Sequence, residues 1–178
     1  MDTAPKDPLL GSAKVLIVLT QITIIFAMVM IGIGIGAMLS VSQAEVLKQI
    51  TNAGAPEFSF GLLVGFMALV MVLLGLAHKF FSQLSGIIDS VKEGEPFRAD
   101  NADRLTRMGW ISVIVHGTAL VLAGIAKWFA PYLEQAGHDA ELGFDVELTG
   151  VLLTIILFIL ARVFRRGAEM REELEGTV

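Results

Sequence analysis

His116 is the titratable side chain that lies deepest in an apolar stretch of this sequence, nine residues beyond Arg107. Nine residues of α-helix rise about 13 Å, which would place the imidazole well inside a membrane. Gln21 and Thr154 lie at similar depth in two other apolar stretches, seven or eight residues from the nearest basic residue. The spacing predicts a polar cluster of Gln21, His116 and Thr154. Such a cluster either joins helices by hydrogen bonds or forms a proton or ligand site.

The sequence lacks the motifs of most other chemistry. It has no cysteine, which excludes disulfides, thiolate metal sites and cysteine nucleophiles. It contains no HExxH, phosphate-binding-loop or GxSxG motif, and its apolar stretches hold no Asp, Glu or Arg that would form a proton relay with His116. We therefore predict that the protein is not an enzyme and has no catalytic, cofactor or metal site. The net charge of −5 does not indicate nucleic-acid binding.

Four apolar stretches must position the polar residues. Hydrophobic residues make up 54% of the 178 residues and charged residues 17%, against roughly 25% charged residues in soluble domains. A helix needs about 20 apolar residues to cross a hydrocarbon core of about 30 Å. We predict an all-α integral membrane protein with a single membrane domain over residues 1–178. Its four transmembrane helices are predicted at about 15–40, 58–78, 108–130 and 147–164.

The fourth span is the shortest, because only fourteen residues separate Glu147 from Arg162. The distribution of basic residues supports it. Eleven of the thirteen Lys and Arg residues lie before span one, between spans two and three, or from Arg162 onward. Since Lys and Arg concentrate in cytoplasmic loops, both termini are predicted to be cytoplasmic, with a cytoplasmic connector at 79–107 and a cytoplasmic tail at 165–178. A signal peptide cleaved near Ala44 is the alternative, although the apolar run is longer than the 7–15 residues typical of one.

The connector carries an amphipathic pattern. Apolar residues recur at helical spacing on one face, and polar residues occupy the other. The apolar positions are Phe80, Phe81, Leu84, Ile87, Ile88 and Val91. The pattern predicts a cytoplasmic amphipathic helix that continues from span two and ends before Gly94 and Pro96. This helix either anchors at the membrane interface or docks a cytoplasmic partner.

Two glycine pairs predict close helix packing. Gly32 and Gly36 lie in span one, and Gly61 and Gly65 lie in span two. Each pair is four residues apart, a spacing that lets helix backbones approach closely. Because both pairs lie near the same end of their spans, we expect spans one and two to touch there, either within one chain or at a homodimer seam.

A short motif follows the amphipathic pattern and consists of Gly94-Glu95-Pro96-Phe97, Asn101, Leu105 and Gly109-Trp110. These residues resemble a known family, the domain of unknown function 2975. The resemblance at residue level covers about seventeen positions. It implies a small four-span bacterial protein, and hence the bacterial inner membrane, without implying any catalytic residue. Since some relatives are encoded beside small helix-turn-helix regulators, it also implies a regulatory protein as a candidate partner.

Two functional hypotheses follow. The first is a non-enzymatic protein of the lipid bilayer that acts through protein–protein interaction, with a cytoplasmic regulator or a second copy of the chain as its partner. The alternative is a minimal channel or transporter subunit with a polar site around His116. The amphipathic pattern favours the first hypothesis, and the intramembrane imidazole favours the second.

Overall fold

The computed structural model of the chain describes residues 8–52, 60–135 and 148–175, and every regular element in these ranges is an α-helix. Four of the helices are long and apolar enough to cross a membrane. The prediction of an all-α protein with four long apolar helices is therefore confirmed for the described residues. The helices are α1 (Pro8–Ser40), α2 (Gln43–Asn52), α3 (Phe60–Lys92), α4 (Ala99–Gln135) and α5 (Leu148–Glu175).

The short helix α2 was not predicted. Ser42 lies immediately before it, and the Glu45 N–H donates to the Ser42 carbonyl at 3.0 Å and to the Ser42 hydroxyl at 3.3 Å. The spacing Ser-x-x-Glu is the sequence pattern of a capping box. The start of α2 therefore has a local sequence signal that the hydrophobicity pattern alone does not reveal.

All four long helices exceed the length that a membrane requires. The 33 residues of α1 and of α3, the 37 of α4 and the 28 of α5 correspond to about 50, 50, 55 and 42 Å at helical rise, against a hydrocarbon core of about 30 Å. The predicted amphipathic segment at 80–91 forms the last part of α3 and is not a separate helix. Most of the connector is therefore made by the polar ends of α3 and α4.

A tight turn joins α3 to α4. The Glu95 N–H donates to the Ser90 carbonyl at 2.9 Å, and the Gly94 N–H donates to the Val91 carbonyl at 3.1 Å. This pair of bonds is a Schellman motif, which requires a left-handed residue after the helix. Gly94 supplies it with a φ of +80°, a conformation that costs glycine little because it has no Cβ. The expected helix stop at Gly94 is present in the structure.

The helices are divided between two compact units. The motif unit consists of the described parts of Met1–Ile24, Leu76–Ile114 and Glu147–Val178. The apolar unit consists of the described parts of Ile25–Gly75 and Val115–Val146. The motif unit contains the hydrophobic cluster of Leu105, Met108, Leu157 and Ala161. The apolar unit contains the glycine-rich part of α1.

Candidate functional site

Asn101 lies in the first turn of α4, beside the turn that joins α3 to α4. Its side chain is only 1% exposed. The Asn101 Nδ2 donates to the Ser90 hydroxyl at 2.6 Å and to the Pro96 carbonyl at 2.9 Å. Ser90, also buried, donates in turn to the Ile87 carbonyl at 2.7 Å. Because buried polar groups are costly unless they are paired, this chain of bonds holds the end of α3, the turn and the start of α4 in one geometry.

Two glycines allow aromatic rings to lie against helix backbone in the motif unit. A Cβ at Gly109 would lie 2.9 Å from the Phe158 ring, and a Cβ at Gly167 would lie 2.7 Å from the Phe97 ring. Trp110 also packs edge-on against Phe158, with ring centroids 5.7 Å apart. These contacts assign a packing role to Phe97, Gly109 and Trp110, which belong to the motif that resembles the family. Their role is to bring α4 and α5 close together.

A third glycine leaves room for the side chain of an arginine. The Arg104 guanidinium lies on the backbone of Gly86, where a Cβ would otherwise be. Gly86 is in α3 and Arg104 is in α4, so any larger residue at position 86 would push the guanidinium away. The charge of Arg104 is thereby held between the two helices.

Ion pairs surround this turn. Arg98 contacts Glu93 at 3.2 Å and Asp100 at 3.3 Å. Pairs between more distant positions are Lys14–Asp89, Arg165–Asp103 and Arg171–Glu95. All of these side chains are more than a third exposed, so each pair contributes only about 0–1 kcal/mol.

The predicted interface helix turns most of its apolar face inward. Phe80, Leu84 and Ile87 pack against the hydrophobic cluster of the motif unit. Ile88 is also buried, and Phe81 and Val91 are partly buried. This packing accounts for the amphipathic pattern without an external partner. Docking of a partner on this particular face stays a prediction.

Two open grooves lie beside the turn. The polar groove, about 430 Å³ in volume, lies between α3 and α4. Its lining residues are Ser82, Gln83, Asp100, Asp103, Arg104 and Arg107. The basic groove, about 650 Å³, lies between α4 and α5. Its lining residues are Thr106, Phe158, Ala161, Arg162, Arg165, Arg166 and Glu169.

Among the residues of the predicted intramembrane cluster, Thr154 contacts another helix. The Thr154 hydroxyl lies 2.7 Å from the hydroxyl of Ser112, which is 5% exposed. Ser112 was not predicted, although it precedes His116 by four residues and thus lies on the same side of α4. Gln21 and His116 are half-buried, and their membership of one cluster with Thr154 stays a prediction.

The glycines of α1 and α3 in the apolar unit differ in which atoms lie near them. A Cβ at Gly32 would lie 3.8 Å from the Met71 methyl group, and a Cβ at Gly34 would lie 3.2 Å from that of Met67. A Cβ at Gly36 or Gly65 would meet nothing within 4 Å. Contact between α1 and α3 therefore runs through Gly32 and Gly34, and Gly34 was not among the predicted packing positions. Packing through Gly36, Gly61 and Gly65 stays a prediction.

The groups near the turn are charged and polar side chains. Among the side chains that the structure describes, no three His, Asp or Glu residues lie close enough to hold a metal ion. The polar groove is lined by guanidinium, carboxylate, hydroxyl and amide groups.

The four long apolar helices define a small multi-pass helical membrane protein. The chain belongs to the family described as protein of unknown function (DUF2975), whose model matches residues 39–178. The matched range contains the whole motif from Gly94 to Trp110, so the predicted family is confirmed. No curated protein and no solved structure matches the chain.

Proposed function

We propose that this protein is a membrane-anchored binding protein that recognises a soluble cytoplasmic protein through the polar groove between α3 and α4. The observation that carries the proposal is the hydrogen-bonded turn beside Asn101, at the end of two helices that continue beyond their apolar parts. A lipid anchor alone needs no such extension, since about 20 residues suffice to cross the bilayer. A fixed platform near the membrane surface is what a binding partner would require.

The groove offers both charges and neutral hydrogen-bonding groups. Arg104 and Arg107 provide guanidinium groups, while Asp103 provides a carboxylate. Arg107 is exposed, and the described part of the chain gives it no ion pair or hydrogen bond. Arginine is enriched in protein interfaces because its planar fork makes several directed hydrogen bonds. Arg107 is therefore the residue through which we expect a partner to bind.

A charge reversal tests this role. Arg107→Glu is expected to abolish crosslinking of the soluble partner to this protein in cells, because the partner's carboxylate would face another carboxylate. Lys92→Glu is the matched control: it makes the same charge change on an exposed residue outside the groove. The proteins that are crosslinked in cells to each variant can be quantified by mass spectrometry. An unchanged set for Arg107→Glu, or crosslinks only between copies of this chain, would contradict the proposal.

The proposal also requires that the groove faces the cytoplasm of a bacterial inner membrane, with both termini on that side. The excess of Lys and Arg around the connector supports this orientation. Since the chain has no cysteine, single cysteines report sidedness directly. Gln83→Cys is expected to react with an impermeant maleimide only in opened cells, whereas Glu45→Cys on α2 reacts in intact cells. The reverse pattern would place the groove outside.

A channel or transporter subunit is the second candidate. The buried hydroxyl pair of Ser112 and Thr154 supports it, since Ser112 lies one helical turn before His116. On this hypothesis His116→Ala changes pH-dependent ion flux in proteoliposomes. A wild-type protein that conducts nothing under the same gradients would remove this candidate and leave the binding proposal standing.

A further inference from the structure

The basic groove between α4 and α5 is lined by both apolar and charged side chains. Phe158 and Ala161 are among its apolar lining residues, and three arginines of α5 are among its charged ones. The arginines are Arg162, Arg165 and Arg166. Their spacing of three and four residues places them on one face of the helix. The volume of about 650 Å³ falls within the range of about 300–1,000 Å³ that is common for small-molecule sites.

The order of these groups along α5 matches the order of groups in a phospholipid. The apolar part of α5 ends at Arg162, where the membrane interface is expected. Phe158 lies one helical turn before Arg162, on the side of the apolar part, and Arg166 lies one turn after it. A lipid at this depth would place an acyl chain against Phe158 and its phosphate against the arginines. A soluble anion without an acyl chain would gain nothing from contact with the apolar lining residues.

The charges of the groove favour an anion. Arg162 makes no ion pair or hydrogen bond with the part of the chain that the structure describes. Arg165 pairs with Asp103 at 3.2 Å and Arg166 pairs with Glu169 at 3.0 Å, but all four of these side chains are at least half exposed. Exposed pairs of this kind are weak and readily exchange partners. A phosphate can accept two parallel hydrogen bonds from one guanidinium, which a lysine could not supply in the same plane.

We propose that the basic groove binds the headgroup of an anionic phospholipid of the surrounding membrane, with the phosphate on Arg162 and Arg166 and the start of an acyl chain along Phe158. Charge complementarity and the position of the groove at the end of the apolar part of α5 identify the occupant. The site is separate from the polar groove, since the two share no lining residue. Phe158, which lines the groove, also packs against Gly109 and Trp110.

Native mass spectrometry of the full chain in mixed micelles tests the proposal. Phosphatidylglycerol and phosphatidylcholine with identical acyl chains are offered in separate samples. Wild type is expected to retain phosphatidylglycerol in preference, and Arg162→Gln is expected to lower that retention about fivefold, which corresponds to the loss of one interfacial cation. Lys79→Gln is the matched control, because it removes one exposed cation near the end of the apolar part of α3 without touching the groove. Its retention is expected to change less than about twofold.

Two further measurements distinguish lipid binding in the groove from nonspecific attraction of the lipid to a positively charged surface. Arg162→Lys keeps the charge and loses the planar fork, so its retention is expected to lie between wild type and Arg162→Gln; this variant also serves if the glutamine variant fails to fold. Excess glycerol phosphate is expected to leave the lipid bound, because it lacks the acyl chain. Equal losses in Arg162→Gln and Lys79→Gln, full retention in Arg162→Gln, or displacement of the lipid by glycerol phosphate would each overturn the proposal.

Discussion

The motif unit and the apolar unit hold their helices by different means. In the motif unit, individual polar or aromatic groups are held in place by specific contacts. The Asn101 side chain donates hydrogen bonds to Ser90 and Pro96, and the Phe158 ring lies on Gly109. In the apolar unit, the contacts of the glycines are made by the methyl groups of flexible methionines. Methionine adapts to irregular gaps, whereas a buried amide or a ring against backbone does not. The motif unit should therefore tolerate substitution far less than the apolar unit.

The largest difference is expected at Asn101. Asn101→Asp keeps the shape of the side chain but replaces the Nδ2 donor by a carboxylate oxygen, which would face the Pro96 carbonyl at hydrogen-bond distance. The loss of two buried hydrogen bonds and the burial of a charge should lower the free energy of unfolding by about 2–4 kcal/mol. Thermal unfolding of the purified protein in detergent, followed by circular dichroism, measures this.

Met71→Leu in the apolar unit is the control for Asn101→Asp. A swap that conserves volume in an apolar contact costs under about 1.5 kcal/mol. If Asn101→Asp unfolded at the same temperature as wild type, the Asn101 amide would not be the donor that holds the turn. The proposed difference between the two units would then be contradicted at the residue where the largest effect is expected.

Replacing a glycine by alanine is expected to have an effect of intermediate size on stability, with opposite signs in the two units. Gly94→Ala places a Cβ at a φ of +80°, which costs about 1–2 kcal/mol in the left-handed region. Gly65→Ala adds a methyl group in a helix interior where nothing lies within 4 Å, and alanine is favoured over glycine in helices by about 1 kcal/mol. The unfolding temperature should fall for the first variant and stay level or rise for the second. Destabilisation by Gly65→Ala would instead indicate that another chain covers that position.

Local patterns predicted the four long helices and the end of α3, but they did not predict contacts between residues far apart in the sequence. Stretches without charge predicted the four apolar helices, and Gly94 with Pro96 predicted where α3 ends, because both signals act over a few residues. The bond between Ser112 and Thr154 joins positions 42 residues apart and has no periodic signature. Likewise the arginines from Arg162 onward read as a basic flank, and the groove exists only because α4 approaches them.

The smallest effect is expected from the exposed charges of the motif unit. Asp103→Asn removes the partner of Arg165, and because both side chains are more than half exposed, the cost in unfolding free energy should be under about 1 kcal/mol. The remaining effect should shrink further as salt is raised, since ions screen charges that lie in water. Unfolding measured at low and high salt separates this electrostatic part from packing. A cost as large as that of Asn101→Asp, unchanged by salt, would mean that the ion pairs and not the buried amide define the geometry of the turn.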